Sequence, residues 1–464
     1  MRNTITPTVL YLFKQAIDEK RLIVDLDSME RYAHDETEDL CFYPEVVALP
    51  ESPEEIAALL KICNEHKIPV TPRGAGTGLS GGSLATQGGL MIAMERMNRI
   101  LEIDEDNLQA TVEPGVITEV LMDAVAAKGL LYPIDPASKG SCFIGGNIAH
   151  GSGGPRVVKY GTIREYVLNL QVVLASGEII WTGANTLKYA SGYNLTQLFI
   201  GAEGTLGIVC KAVLKLIPKP KQNLVLLVSF RSNEEACKAV SAIFKKNIVP
   251  SALEFMERRG VVWVMEYDHI PFNLLPEMEA FLLIEVDGNS MDELLLQCDE
   301  INEVLEANNC IDVLLADTVN QKDALWQLRR TIPLSVKANS IYKEEDTVVP
   351  RAALPALIKG IKDIGVRYGF ESVCYGHAGD GNLHVNIIKG TMSDDDWQYK
   401  LKAGIKEIFE LTILLGGTIS GEHGIGLVQR EYMPLKYSSL HLELMRGIKS
   451  VFDPNNIMNA GKIF

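Results

Sequence analysis

Hydrophobic positions follow two periodicities along this chain, and the switch between them marks its parts. The opening stretch, about 8–20, reads as a helix, and 46–49 as a short strand. Ser52-Pro53-Glu54-Glu55 then supplies a capping box with proline at the first helical position. Ile56, Leu59, Leu60 and Cys63 fall on one face of the helix behind it, and 67–71 reads as the next strand. Residues 46–72 therefore predict a βαβ-like unit that feeds a glycine-rich loop. From 90 to 220 the pattern is short strands and turns, at 90–94, 110–113, 168–174 and 207–216. Pro218-Lys219-Pro220 marks a boundary. Beyond it strands at 224–230, 280–286 and 311–315 alternate with helices at 233–246 and 291–307, which predicts a sheet with helices on one face. A stripe from Trp397 to Leu415, stopped by Gly416-Gly417, and a segment at about 434–450 predict two further helices.

This places the chain in the α+β class with two domains. Residues 1–219 form the first, with a core at about 43–219 and a helical extension at 1–42, and residues 220–464 form the second. Its 464 residues are enough to bury large cores without disulfide staples. The eight cysteines are scattered with no CxxC, which argues against zinc ribbons and cysteine-ligated clusters and favours reduced thiols in a cytoplasm. The apolar runs are too short to span a membrane, and the N-terminus lacks the pattern of a signal peptide. A net charge of −16 argues against nucleic acid and anionic membrane surfaces as partners.

Glycine changes the picture. Pro72-Arg73-Gly74-Ala75-Gly76-Thr77-Gly78-Leu79-Ser80-Gly81-Gly82 follows a strand, and five glycines in nine residues let backbone N–H groups converge on an anion. The segment also spells G-x-G-x-x-G, but 82–89 is a poor helix, and a nicotinamide fingerprint requires a helix opening at the loop. A second cluster spans 140–161 and a third spans 201–209. Three such segments predict backbone wrapped closely around one large ligand. Residues 70–94 and 137–164 contain no Asp or Glu, so two of these segments are locally neutral to basic despite the acidic whole.

Three of the eight histidines lie between 377 and 423. A two-residue turn at Asp380-Gly381 would set His377 directly opposite His384, with Tyr375 and Asn386 on the same face. Two imidazoles so placed could share a divalent metal. Ser420-Gly421-Glu422-His423-Gly424 offers a third ligand, with Glu422 and His423 pointing to opposite sides if the segment is extended.

The 72–82 loop, Ile144-Gly145-Gly146-Asn147 and 201–209 resemble the FAD-linked oxidases of the vanillyl-alcohol oxidase / p-cresol methylhydroxylase superfamily. The resemblance runs through nearly the whole chain. It is nearest to the group that holds the glycolate oxidase flavoprotein subunit, D-lactate dehydrogenase and D-2-hydroxyglutarate dehydrogenase. It implies an FAD-binding domain of two subdomains, a substrate (cap) domain whose sheet is covered by helices, and a C-terminal tail returning to the flavin domain. It implies cofactor contacts at Pro72, Arg73, Gly74, Ala75, Gly76, Thr77, Gly78, Ser80 and Gly81. Further contacts fall at Pro114, Gly115, Pro136, Ser141, Gly145, Gly146, Asn147, Gly153, Gly154 and Tyr160, and at Glu203, Gly207, Ile208, Val209 and Asn459. No histidine lies in the first loop, so non-covalent FAD is expected. The resemblance also implies that His377, His384 and Glu422 bind zinc, iron or manganese, that His423 is the catalytic base, and that Arg329, Lys343 and Asn386 contact substrate.

The activity implied is oxidation of a small D-2-hydroxy acid, foremost D-lactate, with glycolate and D-2-hydroxyglutarate as alternatives. Electrons would pass to an external acceptor: an electron-transferring flavoprotein, an iron–sulfur subunit or a quinone. Other classes weighed are a non-redox flavoenzyme such as alkyl-dihydroxyacetone-phosphate synthase, a zinc hydrolase with nucleotide-binding loops, and a non-catalytic oxidase subunit. A homodimer is compatible with the family.

Overall fold

A computed structural model describes residues 3–269 and 272–464. The chain divides into two compact units. One holds 1–153, 162–219 and 422–464, and the other holds 154–161 and 220–421. The break at 219/220 thus falls at the proline pair, but residues 422–464 group with the first unit and 154–161 with the second.

The first unit carries a two-stranded sheet that pairs Leu130–Leu131 with Ile217–Pro218, and two larger ones. In one, Leu22–Ile23, Val46–Ala48, Leu90–Ala93 and Val70–Arg73 lie in that order, with Val46–Ala48 and Val70–Arg73 both parallel to Leu90–Ala93. The Pro53–His66 helix makes the crossover. Ser52 accepts from the Glu55 amide at 3.2 Å, and Lys67 ends the helix in the left-handed region. The reciprocal half of the capping box is displaced, because the Glu55 carboxylate takes the Glu51 amide and Arg21 instead of the Ser52 amide. Ile56, Leu59, Leu60 and Cys63 pack into the core between this helix and the sheet. The second sheet is antiparallel, in the order Ile100–Asp104, Gln109–Val112, Ile208–Lys215, Val167–Val173, Ile179–Trp181.

Hydrogen bonds explain why the C-terminus joins this unit. The Val70 amide donates to Ile457 at 2.8 Å and the Asn459 amide donates to Val70 at 2.7 Å, so the tail pairs alongside the strand that leads into the glycine loop. Buried Lys449 ties the helix Ser439–Phe452 to the carbonyls of Thr205 and Met458 and to Asp453.

The second unit is built on one antiparallel seven-stranded sheet. Its order is Cys310–Ala316, Gln222–Phe230, Ala280–Gly288, Ala252–Glu257, Glu371–Gly376, Asn382–Ile388, Tyr342–Val348. Helices cover both faces, not one. Arg258–Asp268, Val319–Arg330 and Ile332–Asn339 pack on the face of Leu227, Leu283, Met256 and Tyr375. Leu354–Tyr368 lies on the other face, where Lys362 reaches Glu257 at 2.8 Å. Sheet strands this apolar on both sides require cover on both.

Candidate active site

In the first unit the three glycine segments converge on one cleft. Pro72, Arg73 and Gly74 line it from the first segment, Gly145 and Gly146 from the second, and Glu203, Gly207, Ile208 and Val209 from the third, with Pro114 beside them. No helix opens after Val70–Arg73, in keeping with the rejection of a nicotinamide fingerprint. Glycine is needed where backbones meet. A Cβ on Gly145 would stand 2.6 Å from the Pro114 Cβ, and one on Gly204 would stand 2.3 Å from the Pro72 Cγ. A Cβ on Gly146 would meet nothing within 4 Å.

Other residues expected at the cofactor hold the walls together. Asn147 donates to the Thr118 hydroxyl at 2.6 Å, the Gly115 amide donates to Met97 at 2.7 Å, and Ser141 turns back onto Ser138. Gly76 folds against the Arg73 side chain, and the Gly81 amide donates to Thr37 at 2.7 Å. Asn459 donates to the carbonyls of Gly82 and Glu203 at 2.9 and 2.7 Å and so joins the first segment to the third. Gly154 and Tyr160 belong to the second unit, where the Tyr160 hydroxyl donates to Asp287 at 2.7 Å.

His150, inside the second cluster, and Phe199, just before the third segment, also line the cleft, though neither was among the expected cofactor contacts. His150 donates from Nδ1 to the His423 carbonyl at 2.9 Å, because a carbonyl can only accept. The Glu203 carboxylate accepts from the Ile425 and Gly426 amides, each at 2.7 Å. The backbone that carries His423 is therefore fixed by two residues of the glycine-walled cleft.

The second unit gathers a polar cluster on one sheet face. Register sets Met256 opposite Tyr375, Tyr375 opposite His384, and Asn386 opposite both Val373 and Glu344. Glu254, Tyr375, His384, Asn386 and Glu344 therefore share a face. His377 was expected directly opposite His384. Instead the strand ends at Gly376, His377 sits in a longer turn, and His384 faces Tyr375. The turn is longer than two residues because the Gly381 and Asn382 amides both donate back to the His377 carbonyl. The rings still meet, at 5.5 Å between centroids.

His377 Nδ1 lies 2.8 and 2.9 Å from the two oxygens of Glu254, a fully buried carboxylate. Arg329, carried in by the Val319–Arg330 helix, pairs with the same carboxylate at 2.8 Å and lies over the Tyr375 ring. Burial alone would raise the Glu254 carboxyl; the His377 ring and the Arg329 cation outweigh it and hold it below the ordinary value. Burial, reinforced by Glu344, pushes the Tyr375 hydroxyl up, so it stays protonated. Asn386 is fully buried beside the Tyr375 hydroxyl, and among the described residues neither of its amide atoms makes a well-formed hydrogen bond. The Arg329 Nε is also without one. Lys343 is a correction: it pairs with Ile387, so alternation sends it to the opposite face from His384 and Asn386.

Sequence reasoning passed over Glu254. Its signal was a carboxylate flanked by apolar residues inside the strand Ala252–Glu257, whose residues are all buried. Asp346, opposite His384, accepts from the Gly421 amide at 2.7 Å and the Ser420 hydroxyl at 3.0 Å. It thereby fixes the chain immediately before Glu422.

A family model described as FAD linked oxidases, C-terminal domain, matches residues 219–463, and one described as FAD binding domain matches 44–183. The glycolate oxidase subunit GlcD of Bacillus subtilis is 41% identical over 93% of this chain and 92% of its own length. A D-lactate dehydrogenase of Anaerostipes hadrus is 38% identical over 99% and 98%, and a D-2-hydroxyglutarate dehydrogenase of Stutzerimonas stutzeri is 34% identical over 99% of both. Among solved structures, substrate-bound p-cresol methylhydroxylase matches with a TM-score of 0.80 at 18% identity, over 98% of this chain and 96% of that one. An alkyldihydroxyacetonephosphate synthase matches at 0.77 and 17%, over 99% and 85%. At such identities these two speak for the fold alone. With a cleft walled by three glycine segments and family matches across both units, the chain belongs to the FAD-linked oxidases, with an FAD-binding domain of the p-cresol methylhydroxylase type.

Proposed function

We propose that this protein oxidises a small D-2-hydroxy acid, foremost D-lactate, to the 2-oxo acid. The observation that carries the reading is the buried polar cluster of the second unit. Buried polar groups are nearly always satisfied, yet beside the His377–His384 pair neither the Asn386 amide nor the Arg329 Nε makes a well-formed hydrogen bond among the described residues. A ligand rich in oxygen atoms satisfies them. The relatives named above support a hydroxy acid as that ligand.

Bound FAD supplies the acceptor for the C2 hydride, and a divalent ion held by His377, His384 and Glu422 would supply a Lewis acid that acidifies the substrate hydroxyl. Two imidazoles and a carboxylate suit zinc, iron or manganese. Glu254 occupies His377 Nδ1 and so leaves Nε2 as the ligating nitrogen. His423 takes the hydroxyl proton, and the freed electron pair forms the new carbonyl as hydride departs. Arg329 offers its remaining donors to the substrate carboxylate, and Asn386 orients the hydroxyl carbon. A monocarboxylate is favoured over 2-hydroxyglutarate because Arg329 is the one residue matched to a substrate carboxylate, and the nearby carboxylates Glu254 and Glu285 already engage Arg329 and Arg156. The two electrons leave to an external acceptor.

His423→Ala should lose flavin reduction by substrate while retaining FAD. Removing the metal with a chelator should suppress turnover, and re-addition should restore it. Rapid reduction in the His423 variant would remove that residue as the base, and full activity in metal-free protein would remove the Lewis acid.

A further inference from the structure

Glu254 lies in the middle of a sheet whose surrounding side chains are mostly apolar, and it has no exposure to solvent. An ionised carboxylate there is costly unless both oxygens are engaged. Both are: Oε1 lies 2.8 Å from His377 Nδ1, and Oε2 lies 2.9 Å from the same nitrogen and 2.8 Å from the Arg329 guanidinium. A carboxylate kept only to neutralise Arg329 would not need to sit in line with an imidazole. A buried ion pair kept only for stability could be replaced by apolar side chains of similar volume at little cost.

We propose that Glu254 is a positioning residue that locks His377 in the Nδ1–H tautomer, so that Nε2 is the nitrogen presented to metal or substrate, and that anchors Arg329 beside it. The assignment rests on the proposed function, since it gives His377 Nε2 something to bind. An ionised acceptor on Nδ1–H fixes the ring plane and makes the other nitrogen a stronger donor to a cation. One carboxylate thereby sets the distance between the group that would hold the metal and the group that would hold the substrate carboxylate. Losing it affects both at once: metal affinity through His377, and KM through Arg329.

Two variants separate this from a structural role. Glu254→Gln keeps an acceptor but no charge. Glu254→Leu combined with Arg329→Met removes both buried charges, so that no lone cation is left to unfold the unit. The first readout is the ¹⁵N spectrum of histidine-labelled, FAD-loaded protein, with the His377 ring assigned by its loss in His377→Asn. The second is zinc affinity by competition with a chromophoric chelator. Wild type should show His377 protonated at Nδ1. The double variant should lose that preference and bind zinc about 10–100-fold more weakly, with Glu254→Gln in between. The flavin spectrum should be unchanged in all. An Nδ1–H tautomer and zinc affinity that both persist in the double variant overturn the assignment. If wild type takes up no zinc, the metal reading fails by itself. The tautomer then decides for Glu254: its loss in the double variant upholds the positioning role, and its retention overturns it.

Discussion

Gly145 and Gly146 are adjacent in one helix, yet alanine should act on them in opposite directions. Both lie in Ile144–His150, and neither has the positive φ that would penalise a side chain. Helical glycine costs about 0.5–1 kcal/mol relative to alanine. At Gly146 the new methyl meets nothing within 4 Å, so the apoprotein should gain roughly that amount. At Gly145 the methyl stands 2.6 Å from Pro114 Cβ and 3.1 Å from its carbonyl oxygen. Pro114 also accepts the Gly145 amide at 2.8 Å, so it cannot recede without breaking that bond. Overpacking of this kind costs about 1–3 kcal/mol, which outweighs the helix gain. Both residues line the cleft, so both variants should bind FAD more weakly. A methyl group forced into occupied space at about 1–3 kcal/mol corresponds to a loss of roughly 5–150-fold. Thermal melts of the apoproteins and FAD titration by flavin fluorescence measure the two effects separately. If Gly146→Ala destabilises the apoprotein, the open space beside that glycine is wrong, and if it binds FAD as wild type does, its placement against the cofactor is wrong.

Two further outcomes follow from the buried charges. Burial lowers the Lys462 ammonium to about 8, while it donates to the carbonyl of Leu84 at 2.7 Å. A free lysine titrates near 10.4, so between about 8 and 10.4 the unfolded chain binds more protons than the folded one, and stability rises with pH. Relative to Lys462→Met, wild type should therefore gain about 3 kcal/mol across that window and stay level below it; parallel urea curves for the two proteins would count against this. Asp346→Ala should cost roughly 3 kcal/mol, because the Gly421 amide, Ser420 and Asn382 all donate to a buried anion. It should also slow substrate-driven flavin reduction while FAD stays bound. Unchanged reduction would mean that Asp346 does not set the approach to Glu422.

Local signals revealed the elements, and pairing geometry revealed the site. The helix at Pro53–His66 was legible from its cap and its apolar stripe, and Met291–Ala307 from the same two features. The glycine segments were legible because close backbone approach leaves few other choices of residue. The order of strands in the seven-stranded sheet is set by contacts far apart in sequence, and no local pattern encodes it. The hairpin register failed for a related reason. Asp380-Gly381 is a strong turn signal, but the His377 carbonyl captures the Gly381 and Asn382 amides and moves the pairing by two residues. Lys343 was implied by resemblance alone, and its face is set by the pairing of Tyr342–Val348 with Asn382–Ile388, which no local pattern displays. Glu254 could have been noticed as a charge in an apolar strand, but its partners come from a turn and a helix more than seventy residues away. The destination of residues 422–464 rests on hydrogen bonds to the Val70 strand, which the sequence alone does not display.

Anaerobic mixing of the FAD-loaded protein with single hydroxy acids tests the central claim most directly. D-lactate should bleach the flavin absorbance in a single turnover and yield pyruvate in equal amount, while L-lactate leaves the protein yellow. Glycolate and D-2-hydroxyglutarate in the same experiment rank the alternatives. A flavin that stays oxidised with every D-2-hydroxy acid would contradict the account.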